Sequence, residues 1–343
     1  MPSVHKKVIN DIISCRTETC GMTVYDCPDC GTVHHFYRSC GNRHCPVCQH
    51  RKALQWTEKQ LKRVLPGHHF MVTFTVAQQL RDFIRSHQKA GYRALFAASS
   101  DSLKKLSRDK KYIGGDPTGF SGVLHTWDRT GLYHPHIHYV VPGGALSGKD
   151  GLRHPSRIDF YLPVRALSKI YRAKFRDLMK KEGLYDRIPP EVRNIDWNVN
   201  VQAAGNAENT VRYLSRYVFQ VAVSDYRIVR HGNGKVTFRY RKSGSSRDRH
   251  MTLGVTEFIR RFLQHVPPPG FMKVRYYGFL NPNSGTDLNE VRTLIELCYE
   301  FEIRTPEYEI QPPEPLHCPH CGGVLKYRCS VLPHEMIPFR DTG

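Results

Sequence analysis

Cysteine placement constrains the fold of this chain more than any other feature. Seven of its 11 cysteines fall between Cys15 and Cys48, and the next one is Cys298. The first group contains two Cys-x-x-Cys pairs, which in a chain of this length are typical of metal sites rather than of disulfides. The sequence therefore predicts a small metal-stabilised module over residues 1–60, followed by a larger fold.

The two Cys-x-x-Cys pairs have 14 residues between them, and four thiolates complete a closed tetrahedral zinc site. The predicted ligands of this structural zinc are Cys27, Cys30, Cys45 and Cys48. The candidates for a second zinc site are Cys15, Cys20, Cys40 and His44. A further pair, Cys318 and Cys321, is half a site, which Cys329 and a histidine (His317 or His334) would complete. The alternative, slightly favoured here, is that this tail pair holds no metal.

A second metal site of a different kind is predicted around a His-x-His pattern. Side chains alternate between the faces of a strand, so His136 and His138 point the same way. If Thr130 and Gly131 form a two-residue turn, the hairpin register places His125 directly opposite His136. Three imidazoles on one face, with aliphatic side chains on the other, suit a metal site with open coordination positions. His134 is a reserve ligand.

A helix is predicted over residues 206–221, with Tyr213 and Tyr217 on one face because they are four residues apart. Their hydroxyls would lie at the edge of an apolar stripe that includes Leu214 and Val218. Such tyrosines are often ordinary boundary residues that bury a ring and expose a hydroxyl. Together with the histidine pattern, however, they suggest a nucleophile beside a metal. Arg212 and Arg216 flank the pair and could hold phosphates.

The net charge of +20 predicts attraction to a polyanion, and nucleic acid is the first candidate. Residues 226–281 hold 12 Lys or Arg against two acidic residues, and cations there alternate with aromatic side chains. The predicted DNA-binding residues are Arg212, Arg216, Arg239, Arg241, Lys242, Lys273 and Arg275. The apolar runs are too short to span a bilayer and the first residues lack a signal-peptide core, so we expect no membrane partner and a cytoplasmic location.

The remaining chain organises around these features as an α+β protein. Residues 66–225 alternate between strand and helix patterns and are the predicted catalytic domain, with an antiparallel sheet covered by helices on one face. Residues 226–281 form a basic DNA-binding extension. Residues 282–343 form a C-terminal appendage that carries the tail cysteine pair.

Four motifs, in this order, resemble the rolling-circle transposases of the IS91 type within the HUH endonuclease superfamily. They are Ser39 to Gln49, His134 to Gly144, Tyr213 to Ser224 and Met251 to Phe279. The resemblance implies a zinc-binding head, a palm-like antiparallel sheet, and nicking of single-stranded DNA that depends on a divalent metal, Mg²⁺ or Mn²⁺. It implies that His136 and His138 bind that metal and that Tyr213 and Tyr217 are the tyrosine motif.

The predicted function is therefore a transposase that nicks single-stranded DNA at element ends through a 5′-phosphotyrosine intermediate. Two alternatives stay open at this point: a plasmid or phage replication initiator with the same chemistry, and a non-catalytic zinc-ribbon DNA-binding regulator. The sequence contains no phosphate-binding loop of the Walker type, so no nucleotide cofactor is expected.

Overall fold

The computed structural model of this chain describes residues 1–206, 208, 211, 212, 214, 215, 218, 223–241, 244–299 and 314–333. The chain forms two compact units, of which the first comprises Met1–Lys52 with Glu309–Gly343 and the second comprises Ala53–Tyr308. This division differs from the four predicted segments. Residues 309–343 of the predicted appendage belong to the same unit as the cysteine-rich head, whereas residues 282–308 and the basic extension belong to the same unit as the predicted catalytic domain.

The structure is a mixture of helices and mostly antiparallel strands, which confirms the predicted α+β class. The helices are α1 (Ser3–Ile13), α2 (His50–Leu61), α3 (Arg81–Ser86), α4 (Gln88–Ser107), α5 (Val164–Lys181), α6 (Val255–Leu263) and α7 (Leu288–Tyr299). The strands are β1 (Met22–Asp26), β2 (Val33–Tyr37), β3 (His68–Thr75), β4 (Asp116–Pro117), β5 (Gly119–Trp127), β6 (Tyr133–Pro142), β7 (Gly144–Leu146), β8 (Arg153–Pro155), β9 (Val199–Asn206), β10 (Ile228–Gly232), β11 (Lys235–Arg241), β12 (Asp248–Gly254), β13 (Val274–Gly278) and β14 (Lys326–Val331).

The centre of the second unit is a five-stranded antiparallel sheet with the order β13-β5-β6-β3-β9. Alternation along β3 sends Phe70, Val72 and Phe74 to one face, where all three are fully buried. Helices α4 and α5 pack on this face and close the main hydrophobic core. Tyr139 lies at its centre, with its ring 5.9 Å from that of Phe74.

Helix α5 is amphipathic. Its buried face presents Leu167, Tyr171 and Phe175 to the core, as the spacing indicates. The chain then leaves the helix through Gly183, whose φ of +66° is a conformation that glycine adopts without strain.

The β5–β6 hairpin has the predicted register at the histidines but a different turn. His125 pairs with His136 and Leu124 pairs with Ile137. The connection is longer than two residues, because the Asp128 amide donates to the Leu132 carbonyl at 3.0 Å. An irregularity between His125 and Trp127 absorbs the difference, so the register at the histidines is kept.

The second face of the sheet is also partly covered, which the expectation of helices on one face did not include. Val123 and Val140 on this face form a cluster with Leu214, and Trp56 of α2 and Val218 pack against it. The described residues at 208, 211, 212, 214, 215 and 218 are helical. The described residues of the predicted helix therefore lie against this second face through Leu214 and Val218.

Three smaller sheets complete the described structure. In the first unit, β14 of the tail pairs with β1, and β1 pairs with β2. In the second unit, β10, β11 and β12 form a meander and β4, β7 and β8 form a short sheet. Among the described helices, none has both the length and the apolar character needed to cross a membrane.

Candidate functional site

Three histidines converge on the second face of the central sheet. His125 of β5 and His136 and His138 of β6 each offer one ring nitrogen, and these nitrogens all lie within 4.8 Å of one another. The His125 Nδ1 and His136 Nε2 atoms are 3.1 Å apart. All three side chains are buried. The alternation of the strands and the hairpin register thus assemble the predicted trio on one face.

The partners of two of these rings determine which nitrogen is available as a ligand. Nδ1 of His136 lies 2.6 Å from the His134 carbonyl oxygen, which can only accept, so this Nδ1 carries the proton and Nε2 carries the lone pair. Nδ1 of His138 lies 3.0 Å from the Thr73 hydroxyl. If Nδ1 donates to Thr73, the Nε2 atom of His138 is likewise available for a metal ion.

The electrostatic environment keeps these rings neutral. Burial lowers the pKa of His125 well below its usual 6.5, and the neighbouring His136 lowers it further. Burial and His138 do the same to the pKa of His136. The pKa of His138 falls to about 4, first through burial and then through His134. Neutral imidazoles are the form that binds metal ions, so the trio is in the binding form at neutral pH.

The reserve ligand His134 is not one of the three clustered histidines. Its ring centre lies 5.0 Å from that of His136, and its backbone carbonyl oxygen accepts a hydrogen bond from Nδ1 of His136. Burial, followed by the charge of Arg81, lowers the pKa of His134.

A chain of contacts links the histidine trio to the helical residues of the tyrosine segment. The Trp127 ring centre lies 3.8 Å from that of His125. The Lys273 Nζ atom lies 4.8 Å from the Trp127 ring centre and donates to the Val218 carbonyl at 3.2 Å. Lys273, which was predicted as a DNA-binding residue, is therefore placed between the trio and Val218.

Tyr213 and Tyr217 themselves lie outside the described residues, as do Arg216, Lys242 and His334. Leu214, which follows Tyr213 in the sequence, is described. Leu214 is 1% exposed and packs against Val123 and Val140 on the face that carries the histidines. Leu214 and Val218, the members of the predicted apolar stripe that appear in this cluster, thus contact the sheet.

The structure groups the cysteines differently from the prediction that Cys27, Cys30, Cys45 and Cys48 share one ion. One group, here called the head cluster, is Cys15, Cys40, Cys45 and Cys48. The other, here called the head–tail cluster, is Cys27, Cys30, Cys318 and Cys321. The two Cys-x-x-Cys pairs of the head therefore belong to different sites, and the prediction that they share one is wrong.

Each cluster brings four sulfur atoms within 4.8 Å of one another. In the head cluster, the Cys15 and Cys45 sulfurs are 3.6 Å apart and the Cys40 and Cys48 sulfurs are 3.8 Å apart. Four thiolates in this arrangement fit a structural zinc ion with a closed shell.

Four described residues that were considered as zinc ligands lie outside both clusters. One is His317, whose Nδ1 atom lies 2.9 Å from the Gly322 carbonyl oxygen. The Cys20 thiol donates to the Ser14 carbonyl at 3.0 Å, so it caps a turn instead of completing a site. His44 follows a tight turn in which its amide donates to Asn42 Oδ1 at 2.8 Å. Cys329 lies on β14 and is exposed. The view that the tail pair is an unmetallated remnant does not fit its position beside Cys27 and Cys30.

The described members of the predicted DNA-binding set occupy different environments. Arg239 and Arg241 are exposed on β11 and both form ion pairs with Asp248. Arg212 is exposed and lies 2.9 Å from Glu208. Arg275 is half-buried, with its guanidinium 4.4 Å from the Phe96 ring centre in α4, on the face opposite to the histidines. Its position is that of a packing residue.

Two contributors to the histidine centre were not predicted from the sequence. Thr73 lies opposite His138 because β3 pairs with β6. The local sequence around either strand does not predict that pairing. Trp127 follows His125 by two residues on β5, and its ring packs on that of His125. Its aromatic side chain two residues from a proposed ligand was the only available signal.

A family model described as "Transposase zinc-binding domain" matches residues 1–76, and one described as "Putative transposase" matches residues 119–286. The protein named "Putative transposase y4qJ" of Sinorhizobium fredii is 33% identical over 300 residues, which cover 82% of this chain and 75% of that protein. The "Transposase for insertion sequence element IS801" of Pseudomonas savastanoi pv. phaseolicola is 25% identical over 359 residues, covering 96% of this chain and 84% of that protein. No solved structure matches. The chain belongs to the IS91-type family of transposases, DNA-processing enzymes with a zinc-binding domain.

Proposed function

We propose that this transposase nicks single-stranded DNA at the ends of its element, with Tyr213 or Tyr217 as the nucleophile and a divalent metal at His125, His136 and His138. One observation carries this proposal. Leu214 and Val218, each of which directly follows one of the two tyrosines in the sequence, pack on the sheet face that holds the three histidines. A helix held there by its apolar stripe keeps neighbouring side chains close to that face.

The donor set of the histidine trio fits a divalent metal ion with open coordination positions. Three neutral imidazole nitrogens suit a transition-metal ion, whereas Mg²⁺ prefers oxygen ligands and retains most of its waters. Of the two expected ions, Mn²⁺ therefore fits the protein ligands better than Mg²⁺. A bound ion would offset negative charge at the scissile phosphate.

The proposed reaction is a transesterification that conserves the energy of the phosphodiester bond. The phenolic oxygen of Tyr213 or Tyr217 loses its proton and attacks phosphorus in line. The bond from phosphorus to the 3′ oxygen breaks, and that oxygen takes up a proton. The products are a 5′-phosphotyrosine and a free 3′-OH, so no nucleotide cofactor is consumed. The second tyrosine, or the 3′-OH itself, can then reverse or resolve the linkage.

The DNA path in this proposal runs over exposed cations. Arg239 and Arg241 share a single carboxylate, Asp248, so the group keeps a net positive charge for phosphate binding. Arg212 belongs to the same predicted helix as the tyrosines and is proposed to position the DNA strand. Lys242 and Arg216 are retained as expected contacts, whereas Arg275 is left out of the path because it packs on Phe96. Because its substrate is the element's DNA, we also propose that the protein acts in the cytoplasm.

A nicking assay tests this proposal. Full-length protein is incubated with Mn²⁺ and single-stranded oligonucleotides tiled across the ends of the element that encodes it, and covalent adducts are resolved on a denaturing gel. The Tyr213→Phe/Tyr217→Phe variant is expected to lose the adduct. Tyr226→Phe is the matched control, because Tyr226 is a highly exposed tyrosine outside the tyrosine helix.

The same assay distinguishes the alternatives. An adduct that persists in the double variant would remove the tyrosine assignment. Absence of any adduct with wild-type protein, despite specific binding of the oligonucleotides, would instead favour a non-catalytic DNA-binding protein. Equal cleavage of duplex and single-stranded oligonucleotides would contradict the proposed substrate.

A further inference from the structure

The two cysteine pairs of the head–tail cluster share one local sequence pattern. Both read Cys-Pro-x-Cys-Gly, at residues 27–31 and 318–322. The third pair of this kind in the chain, at residues 45–49, ends in Gln49 instead of glycine and belongs to the head cluster. The repeated glycine suggests that the first two pairs form the same kind of turn.

The backbone confirms that the two turns are alike. The Cys27 amide donates to Thr32 at 2.9 Å and the Gly31 amide donates to Cys27 at 2.9 Å. In the tail, the Cys318 amide donates to Gly323 and the Gly322 amide to Cys318, each at 2.8 Å. Gly31 and Gly322 have φ values of +72° and +78°, a region in which glycine is favoured. Each turn presents its two thiols in the same way.

The sulfur atoms of the two turns lie next to one another. The Cys27 and Cys321 sulfurs are 3.4 Å apart, and the Cys30 and Cys318 sulfurs are 3.7 Å apart. A disulfide requires about 2.05 Å. Four thiolates at about 2.3 Å from a tetrahedral Zn²⁺ would lie roughly 3.8 Å from one another. The observed separations match coordination of one ion and not disulfide bonding.

The segments around the cluster hold the two ends of the chain together. Strand β14 pairs with β1 from Met22–Val331 to Asp26–Lys326. Cys27 and Cys318 are buried in a small core with Leu325, against which Tyr25 packs. A zinc ribbon of this kind has little other core, so its stability depends on the metal.

We propose that the head–tail cluster binds a structural Zn²⁺ of its own, separate from that of the head cluster, and that residues 314–333 are therefore an integral part of the zinc-binding head. The matched zinc-binding family model ends at residue 76 and so includes only half of these ligands. The head of this transposase is completed only when its C-terminal segment has been synthesised. This inference is independent of the nicking reaction.

Zinc content per chain tests the proposal. In full-length protein, Cys318→Ser/Cys321→Ser is expected to contain one equivalent of zinc less than the wild type by elemental mass spectrometry. Cys329→Ser is the matched control, because Cys329 lies in the same tail segment but outside both clusters, and its zinc content should equal that of the wild type. Equal zinc content in the wild type and the double variant would overturn the proposal.

Thiol alkylation of the wild type provides a readout that does not depend on the folding of a variant. Cys30, Cys321 and Cys329 are all exposed. Coordination predicts that iodoacetamide modifies Cys329 rapidly, whereas Cys30 and Cys321 react only after a chelator is added. Equally rapid modification of all three residues, or a Cys30–Cys318 disulfide in freshly purified protein, would show that no ion is bound there.

Discussion

The hydroxyl of Thr73 provides a sharp test of the histidine centre, because it contacts a proposed ligand without being one. Its oxygen lies 3.0 Å from Nδ1 of His138. Partners that fix the orientation and tautomer of a metal-binding histidine are typically worth about 10–100-fold in metal affinity. The variant Thr73→Val keeps the β-branched shape and removes this partner. We therefore expect it to bind Mn²⁺ about 10–100-fold more weakly, or roughly 1.4–2.7 kcal/mol.

The assay is calorimetric titration of full-length protein with Mn²⁺, with thermal unfolding measured in parallel. Thr75→Val is the matched control, since Thr75 also faces the histidines but pairs with His136, whose Nδ1 already bonds to the His134 carbonyl. Its affinity should stay within about twofold of the wild type. Unchanged Mn²⁺ affinity in Thr73→Val, with binding abolished in His138→Ala, would refute the proposed role of the hydroxyl. Unchanged affinity in both variants would refute the centre.

Three further predictions concern stability. Leu214 packs the predicted helix of residues 206–221 on Val123 and Val140, so Leu214→Ala should destabilise the protein by about 2–5 kcal/mol in urea unfolding. The variant should also give less covalent adduct while its Mn²⁺ affinity persists. An unchanged adduct yield would contradict this. A Cβ at Gly122 would overlap the Tyr139 ring, so Gly122→Ala should lower the free energy of unfolding by about 1–3 kcal/mol. Gly148→Ala is the control and should change it little, because no described atom lies within 4 Å of a Cβ at Gly148. Burial lowers the pKa of His265 from 6.5 to about 4. The unfolded chain therefore binds the proton first as pH falls, and stability drops by about 1.4 kcal/mol per pH unit between those two values. The difference in unfolding free energy between wild type and His265→Gln should shift with pH over this window and be constant above pH 7; a constant difference throughout would contradict the lowered pKa.

The histidine trio could be predicted from the sequence because a hairpin is local. His125 and His136 are joined by a short connection, so alternation and register fixed which side chains share a face. The predicted two-residue turn was wrong, and the register survived only because the irregularity in β5 offset the longer connection. Thr73 could not be assigned to the same site, since its pairing with His138 depends on a strand 65 residues away in the chain.

The grouping of the zinc ligands, in contrast, could not be predicted from local sequence. Proximity in sequence favoured a shared site for the two head pairs, yet Cys27 and Cys321, which are 294 residues apart, lie together. Closing a long loop costs only slightly more than closing a short one, so sequence separation is a weak guide to partners. The Cys-Pro-x-Cys-Gly repeat was the better signal. Likewise, composition located the basic extension but could not show that Arg275 packs on Phe96.

In the proposed reaction, the phenolic oxygen of Tyr213 or Tyr217 becomes joined to DNA. Its most direct test is the mass of the DNA-linked peptide after nicking by the wild-type protein in Mn²⁺, followed by proteolysis and nuclease trimming. We expect a 5′-phosphonucleotide attached to Tyr213 or Tyr217. Attachment to any other residue, or nicked DNA that carries no peptide, would contradict it.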